Sequence, residues 1–225
     1  RMKLFYKKYG ETGTPFFILH GLFGMLDNWH RVAGALSEEY TVYTVDQRNH
    51  GHSPHSPKMD YKIMANDLKN LMDDLGIEKA IILGHSMGGK TVMQFCELFP
   101  EMVEKLIVVD IAPKRYKPGH TLYFEALKSL DFASFERRRD AEQALEEYEP
   151  NAGIRLFLLK NMTRKEGGGF ELKMNLEAIE DAYEEIIGSA NIEKEFDGEV
   201  LFIKGANSRY ITDEDLELIH NLYPN

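Results

Sequence analysis

Gly84-His85-Ser86-Met87-Gly88 follows an apolar run at 79–83 and precedes a stretch with helical apolar spacing at 89–99. A strand, the pattern G-x-S-x-G and a helix together form the sequence context of a nucleophile elbow, which holds a serine hydroxyl above a sheet. Glycine at both ends of the pattern lets neighbouring segments approach closely. We therefore predict that Ser86 is a nucleophile and that the N–H of Met87 faces any oxyanion formed there.

A second loop is predicted to contribute the other hydrogen-bond donor to the oxyanion. The continuous apolar run at 16–19 is typical of a parallel strand buried on both faces, and it leads into H-G-L-F-G at 20–24. An acyl-transfer site needs two donors for its oxyanion, and the N–H of Leu22 is the predicted second donor. We expect His20 to brace this loop. The residues that we place around the substrate are His20, Gly21, Phe23 and His85.

A carboxylate follows another predicted strand. Asp110 comes directly after the apolar run at 105–109. Open α/β sheets place their sites at the carboxyl ends of the strands, so Asp110 is predicted to orient a histidine as the acid of a triad. A carboxylate that only caps its own loop is the alternative, and Asp213 is a second candidate for the acid.

Composition excludes several classes of protein. The 225 residues suit one large α/β domain, and the net charge of -10 argues against a nucleic-acid partner. The single cysteine cannot form an internal disulfide, which favours a reducing, cytoplasmic compartment. No apolar run is long enough to cross a bilayer. A small molecule is the expected partner.

The pattern changes between two parts of a predicted α/β core, 1–113 and 191–225. Residues 114–190 are strongly charged and contain no clear strand, and an insertion of helices above an α/β site is typical of a lid. Gly167-Gly168-Gly169 predicts a hairpin or a hinge. The helices predicted in this segment cover 121–130, 136–148, 153–162 and 172–187.

Three closely spaced histidines raise the question of a metal site. His50, His52 and His55 lie in a polar loop that contains glycine and proline but no cysteine or glutamate. Zinc sites usually take regularly spaced ligands from defined elements. We therefore predict no metal site in this loop.

Taken together and in this order, the motifs resemble those of the α/β-hydrolase superfamily, and most of all the YbfF-type esterases. The resemblance implies a mostly parallel sheet with helices on both faces and a helical lid. It also implies hydrolysis of a carboxylic ester or an acyl thioester by serine, histidine and an acid, without metal or organic cofactor. The matching stretches are HGLFG at 20–24, DQRNHGHS at 46–53, GHSMGGK at 84–90, DIAP at 110–113 and GANSRY at 205–210.

Two features depart from the pattern of the wider superfamily. Many members carry the triad acid after the strand that corresponds to 199–204, where this chain has Asn207 and Ser208. This difference favours Asp110 as the acid. The order serine, acid, histidine also requires a histidine after one more strand, and the chain ends at Asn225 before that strand. We expect the chain to be truncated, the base to lie outside residues 1–225, and the 225-residue chain to be nearly inactive alone.

Two other functions fit parts of the pattern. A carbon–carbon hydrolase or a lyase of the same fold is one alternative, and Lys90 beside the elbow is the only hint of the carboxylate clamp that it would need. A non-catalytic binding scaffold, or an inactive fragment, is the other alternative. A fluorophosphonate probe separates them, because labelling requires an activated serine.

Overall fold

The computed structural model describes residues 1–225. Six strands form the central sheet in the order β1-β3-β2-β4-β5-β8, and only β1 runs antiparallel to its neighbour. The predicted α/β architecture, a mostly parallel sheet with helices, is confirmed. The strands of this sheet are β1 (Tyr6–Tyr9), β2 (Pro15–Leu19), β3 (Thr41–Val45), β4 (Ala80–His85), β5 (Val103–Val109) and β8 (Val200–Ile203).

Nine α-helices surround or follow these strands, and four short 3-10 turns lie at 26–29, 100–102, 132–134 and 213–215. The helices are α1 (His30–Leu36), α2 (Tyr61–Asp74), α3 (Met87–Leu98), α4 (Thr121–Ser129), α5 (Arg138–Leu145), α6 (Ala152–Leu159), α7 (Leu176–Asp181), α8 (Tyr183–Ile187) and α9 (Leu216–Leu222). None of the helices combines the length and the apolar character needed to cross a bilayer.

Strand β2 carries buried apolar side chains on both faces of the sheet. Phe17 and Leu19 join the large apolar cluster under α2, α3 and α9, whereas Phe16 and Ile18 join a smaller cluster with α1. Side chains alternate between the two faces of a strand, so an unbroken apolar run buries both. This arrangement places β2 in the interior of the sheet, next to β4.

The sheet brings the predicted site residues to one edge. Strands β2, β4, β5 and β8 are parallel neighbours, so their carboxyl ends lie on the same side of the molecule. The loop at 20–24 follows β2, Ser86 follows β4, and Asp110 follows β5. The residues selected from the sequence are therefore gathered at the carboxyl ends of three adjacent strands, where open α/β sheets bind their ligands.

The segment at 114–190 contains a small sheet that was not predicted from the sequence. Strands β6 (Met162–Arg164) and β7 (Phe170–Leu172) form an antiparallel hairpin around the three glycines at 167–169, which all have positive φ. A Cβ on Gly169 would lie 2.1 Å from the carbonyl oxygen of Ala133, so this position also needs glycine for space. Of the two predictions for these glycines, the hairpin is the one observed.

The predicted single helix at 172–187 is also wrong. Residues 170–172 belong to β7, and the rest divides into α7 and α8 around Ala182. The N–H of Lys173 donates to Asn161, and the N–H of Asn175 donates to Asn49, so this stretch pairs with distant backbone. The side chain of Asn175 then accepts a hydrogen bond from the N–H of Ala178 and caps α7. Tertiary pairing and the cap thus delay the start of the helix.

The segment at 114–190 shares an apolar cluster with the elbow. Its helices and hairpin contribute most of a cluster of 22 buried residues, which Leu22, Phe23 and Met87 join from the core. Tyr61 of α2 lies in the same cluster and donates a 2.5 Å hydrogen bond to the carbonyl of Ile186. The segment therefore packs directly on the two loops that carry the predicted oxyanion donors.

Candidate active site

Ser86 occupies a strained turn between β4 and α3. Its backbone angles are φ 53° and ψ -116°, an unfavourable conformation for a residue with a side chain. A Cβ on Gly84 would lie 2.0 Å from the carbonyl oxygen of Gly88, and a Cβ on Gly88 would lie 2.3 Å from that of Leu19. The two glycines therefore allow the close approach that the sequence pattern predicts. The Ser86 N–H donates to Val109 over 3.0 Å, which ties the turn to β5.

Two backbone N–H groups near Ser86 are free to donate. Met87 is the first residue of α3, so its N–H has no acceptor within the helix. The N–H of Leu22 donates to no other group of the protein. Leu22, Ser86 and Met87 all line one cavity. A Cβ on Gly21 would lie 3.3 Å from that of Ser86, so the loop at 20–24 packs closely against the elbow.

His20 braces this loop and lies away from the cavity, which corrects its place among the substrate contacts. Its side chain is 1% exposed, and its Nε2 accepts the N–H of Gln47 over 2.9 Å. Nδ1 therefore carries the proton and donates to the carbonyl of Gly21 over 2.8 Å. Burial lowers the pKa of His20 to about 4, so the ring is neutral.

Phe23 is also corrected as a substrate contact. Its side chain is buried and packs edge-on against Phe124 of α4, at 5.1 Å between ring centroids. Its N–H donates to Nε2 of His50, and its carbonyl accepts a hydrogen bond from Asn161. Phe23 thus joins the loop at 20–24 to the segment above it. The other two proposed contacts, Gly21 and His85, do line a cavity with Ser86.

The polar loop after β3 holds the loop at 20–24 in place, a role that sequence reasoning missed. Asp46 accepts the N–H groups of Leu26 and His52 over 2.7 and 2.8 Å. Gln47 donates from its side chain to the carbonyl of His20 and accepts a hydrogen bond from Thr91. Close spacing of polar residues after a buried strand was the available signal, but their partners are distant in sequence.

The three histidines of this loop do not form a cluster with metal-ligand geometry, and no such group of His, Cys, Asp or Glu occurs in the chain. His50 is fully buried, and both of its ring nitrogens are engaged, by the carbonyl of Arg48 and the N–H of Phe23. Nε2 of His55 bonds to the carbonyl of Lys173. The histidines therefore serve loop structure.

Asp110 lines the same cavity as Ser86 and His85. It follows β5 with φ 57°, and its carboxylate accepts hydrogen bonds from the N–H of Gly205 and the hydroxyl of Ser208. The second candidate for the acid, Asp213, is exposed and lines neither cavity beside Ser86. The structure therefore brings Asp110 to the site and leaves Asp213 outside it.

Two cavities meet at Ser86. One is mainly apolar and extends between α3 and α8, past Met87, Ile186 and Ile187. The other is more polar and includes His85 and Asp110. Four residues line both cavities: Leu22, Ser86, His120 and Tyr210. Neither His120 nor Tyr210 was selected from the sequence: no motif surrounds His120, and Tyr210 ends the matching stretch at 205–210 without a predicted role.

Lys90 closes the apolar cavity on the side of α8. Its side chain is 1% exposed, and its Nζ donates to the carbonyls of Ile187 and Gly188 over 3.3 and 2.5 Å. No carboxylate pairs with it. Burial, together with the nearby charges of Arg115 and Lys114, lowers the pKa of Lys90 to about 7.

The family of the chain follows from comparison with known proteins. Residues 14–225 match the family model described as the alpha/beta hydrolase fold. The chain belongs to the α/β hydrolase fold family. The strained serine after β4 and the glycine loop after β2 occupy the positions that the family pattern predicts.

Two curated relatives and one solved structure are closely similar. The chain is 38% identical over 220 residues to the zebrafish (Danio rerio) sn-1-specific diacylglycerol lipase ABHD11, covering 94% of this chain and 69% of that protein. It is 36% identical over 205 residues to esterase YbfF of Escherichia coli, covering 91% and 78%. A marine microorganism esterase superimposes with a TM-score of 0.97 at 43% identity, covering 100% of this chain and 88% of that one. The predicted resemblance to YbfF-type esterases is confirmed.

Proposed function

We propose that this α/β hydrolase is a serine hydrolase that cleaves carboxylic esters or acyl thioesters through an acyl-enzyme on Ser86. One observation carries the proposal: a strained serine shares a cavity with two N–H groups that have no other acceptor, those of Leu22 and Met87. Donors fixed in advance near a nucleophile stabilise the charge that develops on a carbonyl oxygen. The names of the relatives, esterase and lipase, agree with this chemistry.

The reaction has two balanced steps. Ser86 Oγ bonds to the acyl carbon while a base takes its proton. The N–H groups of Leu22 and Met87 donate hydrogen bonds to the oxyanion of the tetrahedral intermediate. The carbon–oxygen or carbon–sulfur bond then breaks, and the leaving group receives that proton. A water molecule then attacks the acyl-enzyme in the same way, which releases the carboxylic acid and restores the Ser86 hydroxyl.

Asp110 is the proposed acid that orients the base. Its carboxylate lines the cavity beside Ser86, and two donors fix its orientation. No histidine of residues 1–225 hydrogen-bonds to the Ser86 hydroxyl or to Asp110, so we assign the base to none of them. His85→Gln should accordingly retain reaction of Ser86 with a fluorophosphonate, because a base supplied by His85 would lose it.

The segment at 114–190 is proposed to act as a lid between two parts of the core, 1–113 and 191–225. It packs on the elbow through a shared apolar cluster and forms one wall of the apolar cavity through Ile186 and Ile187. An apolar wall favours the acyl or aromatic part of a substrate, which loses unfavourable contact with water there.

A fluorophosphonate probe tests the proposal in the natural full-length protein. The probe reacts with activated serines, so we expect labelling of the wild-type protein and none of Ser86→Ala. Ser134→Ala removes an exposed serine of the segment at 114–190 and serves as the matched control, with labelling unchanged. Wild-type protein that stays unlabelled would favour the binding scaffold. The rates of hydrolysis of phenyl butyrate and of its thioester analogue then show which of the two substrate classes is preferred.

The alternative of a carbon–carbon hydrolase or a lyase depended on Lys90 as part of a carboxylate clamp. Lys90 instead donates to two backbone carbonyls at the end of α8 and is 1% exposed. Its hydrogen bonds join α3 to the segment above it. This arrangement gives the alternative no specific support, and ester or thioester hydrolysis remains the proposal.

A further inference from the structure

His120 lies at the junction of the two cavities that contain Ser86. It precedes α4 and is one of four residues that line both cavities, with Leu22, Ser86 and Tyr210. Leu22 and Ser86 already have roles in the proposed reaction. His120 belongs to the segment at 114–190 and contributes to the lining of both cavities that contain Ser86. A polar ring at this junction is near the part of a substrate where the bond breaks.

The hydroxyl of Tyr183 determines which nitrogen of His120 carries the proton. Its oxygen accepts the N–H groups of Gly119 and His120, over 3.0 and 3.1 Å. Both lone pairs of that oxygen are then engaged, so the O–H donates to Nδ1 of His120, which lies 2.8 Å away. A neutral imidazole with Nδ1 as acceptor holds its proton on Nε2.

The Nε2–H group of His120 has no acceptor in the protein. The ring is held by aromatic contacts instead, with Tyr183 edge-on at 5.7 Å and Phe23 at 6.1 Å between ring centroids. Burial lowers the pKa of His120, so the ring stays neutral near pH 7. The result is a neutral hydrogen-bond donor, fixed in tautomer and in orientation, on the wall of the reaction cavity.

We propose that His120 is a specificity-determining residue whose Nε2–H donates a hydrogen bond to the alkoxy oxygen of an ester substrate. This inference rests on the proposed function. The substrate's carbonyl oxygen is assigned to Leu22 and Met87, so the alkoxy oxygen is the other acceptor next to the reacting carbon. A thioester has sulfur in that position, and sulfur is a weak acceptor. His120 therefore favours oxygen esters over thioesters.

The test compares ethyl butyrate with S-ethyl thiobutyrate, a matched alkyl ester and thioester, in the natural full-length protein. His120→Phe keeps an aromatic ring but removes the donor. We expect the ratio of kcat/KM for ester over thioester to fall about 3- to 10-fold, the net effect of one neutral hydrogen bond. His120→Gln places an amide N–H near the position of Nε2 and should retain most of the ratio.

Two further variants make the result specific. His120→Asn is too short to place a donor at the Nε2 position and should lower the ratio as His120→Phe does, even if the phenylalanine variant folds poorly. Tyr123→Phe is the matched control, because Tyr123 also contacts the His120 ring while its hydroxyl donates to Glu149. Its ratio should equal that of the wild type.

The remaining outcomes overturn the inference. If the ratio is unchanged in both His120→Phe and His120→Asn, with kcat/KM equal to the wild type or lowered equally for both substrates, His120 does not donate to the alkoxy oxygen. Loss of fluorophosphonate labelling in His120→Phe would make His120 the base instead. Wild-type protein that is labelled but cleaves only the thioester refutes the inference and leaves the proposed function intact. Wild-type protein that is neither labelled nor active refutes both.

Discussion

The hydroxyl of Ser208 donates a hydrogen bond to Oδ2 of Asp110 over 2.8 Å and joins two residues that lie 98 positions apart in the chain. The N–H of Gly205 donates to the other carboxylate oxygen over 3.2 Å. The loop after β8, where many superfamily members carry the acid, therefore supplies hydrogen-bond donors to a carboxylate that follows β5. Ser208 therefore orients the carboxylate of Asp110, which we propose as the acid.

This relationship predicts different effects for two substitutions. Asp110→Asn keeps the shape but removes the charge, so the rate of fluorophosphonate labelling should fall about 10³- to 10⁴-fold. Ser208→Ala removes one hydrogen bond to a charged group and should lower that rate about tenfold or more. Asn207→Ala, at an exposed neighbouring position, is the control and should react at the wild-type rate. Equal rates for Ser208→Ala and the control would contradict the positioning role.

A buried ion pair predicts a stability effect that is separate from the site. Nε and Nη2 of Arg48 donate to the two carboxylate oxygens of Asp67 over 2.7 and 2.9 Å, and Nη1 donates to the carbonyl of Lys58. Asp67→Ala would leave a buried guanidinium without its counter-charge. The free energy of unfolding, measured by urea titration, should fall by about 3–5 kcal/mol.

The same helix α2 supplies the control for that experiment. Lys69 and Asp73 form an exposed ion pair four residues apart, with 2.6 Å between Nζ and Oδ2. Exposed pairs of this kind contribute about 0.3–0.5 kcal/mol, so Asp73→Ala should have a small effect. Similar losses for Asp67→Ala and Asp73→Ala would mean that burial does not set the energy of the Arg48 pair.

The elbow itself could be predicted from sequence because its signals are local. A short apolar run, two spaced glycines and a helical periodicity lie within about twenty residues of Ser86, and each has a direct geometric meaning. The structure places β4 at Ala80–His85 and α3 at Met87–Leu98, close to the predicted bounds. Local patterns were sufficient here because backbone conformation and close packing determine the turn.

The structure of the segment at 114–190 could not be predicted in the same way. His120 owes its position and its tautomer to Tyr183, 63 residues later, and no periodicity links the two. Strands β6 and β7 have three residues each, too few to show an alternating pattern. The role of His20 was partly predictable: its expected brace of the loop is observed, but only the structure shows that the ring is buried away from the cavity.

Close packing at Gly88 predicts the cost of a single methyl group. A Cβ there would lie 2.3 Å from the carbonyl oxygen of Leu19, which belongs to β2 and cannot move freely. Gly88→Ala should lower the free energy of unfolding by about 1–3 kcal/mol or more. A Cβ on Gly34 in α1 would have no neighbouring atom within 4 Å, so Gly34→Ala should instead stabilise by up to about 1 kcal/mol. Thermal unfolding of both variants measures the contrast, and a stabilised Gly88→Ala would refute it.

Lys90 predicts how stability depends on pH. Its pKa is lowered from 10.5 to about 7 in the folded protein, because burial and the neighbouring charges of Arg115 and Lys114 disfavour the ammonium. Between these two pKa values the unfolded chain holds a proton that the folded protein has released. Unfolding then takes up a proton, so the Lys90 contribution to stability rises as the pH rises from 7 towards 10.5. Below pH 7 both states are protonated and this contribution is constant.

Lys90→Met removes the titrating group but keeps a side chain of similar length for the apolar cavity. We expect the free energy of unfolding of the wild type, relative to this variant, to increase with pH by at most about 1.4 kcal/mol per unit between pH 7 and 10. Urea titrations at four pH values measure the slope, and Lys62→Met, at an exposed position on α2, should leave the wild-type slope unchanged. If Lys90→Met has the same slope as the wild type, Lys90 does not release its proton on folding, and its hydrogen bonds to Ile187 and Gly188 are those of a charged ammonium.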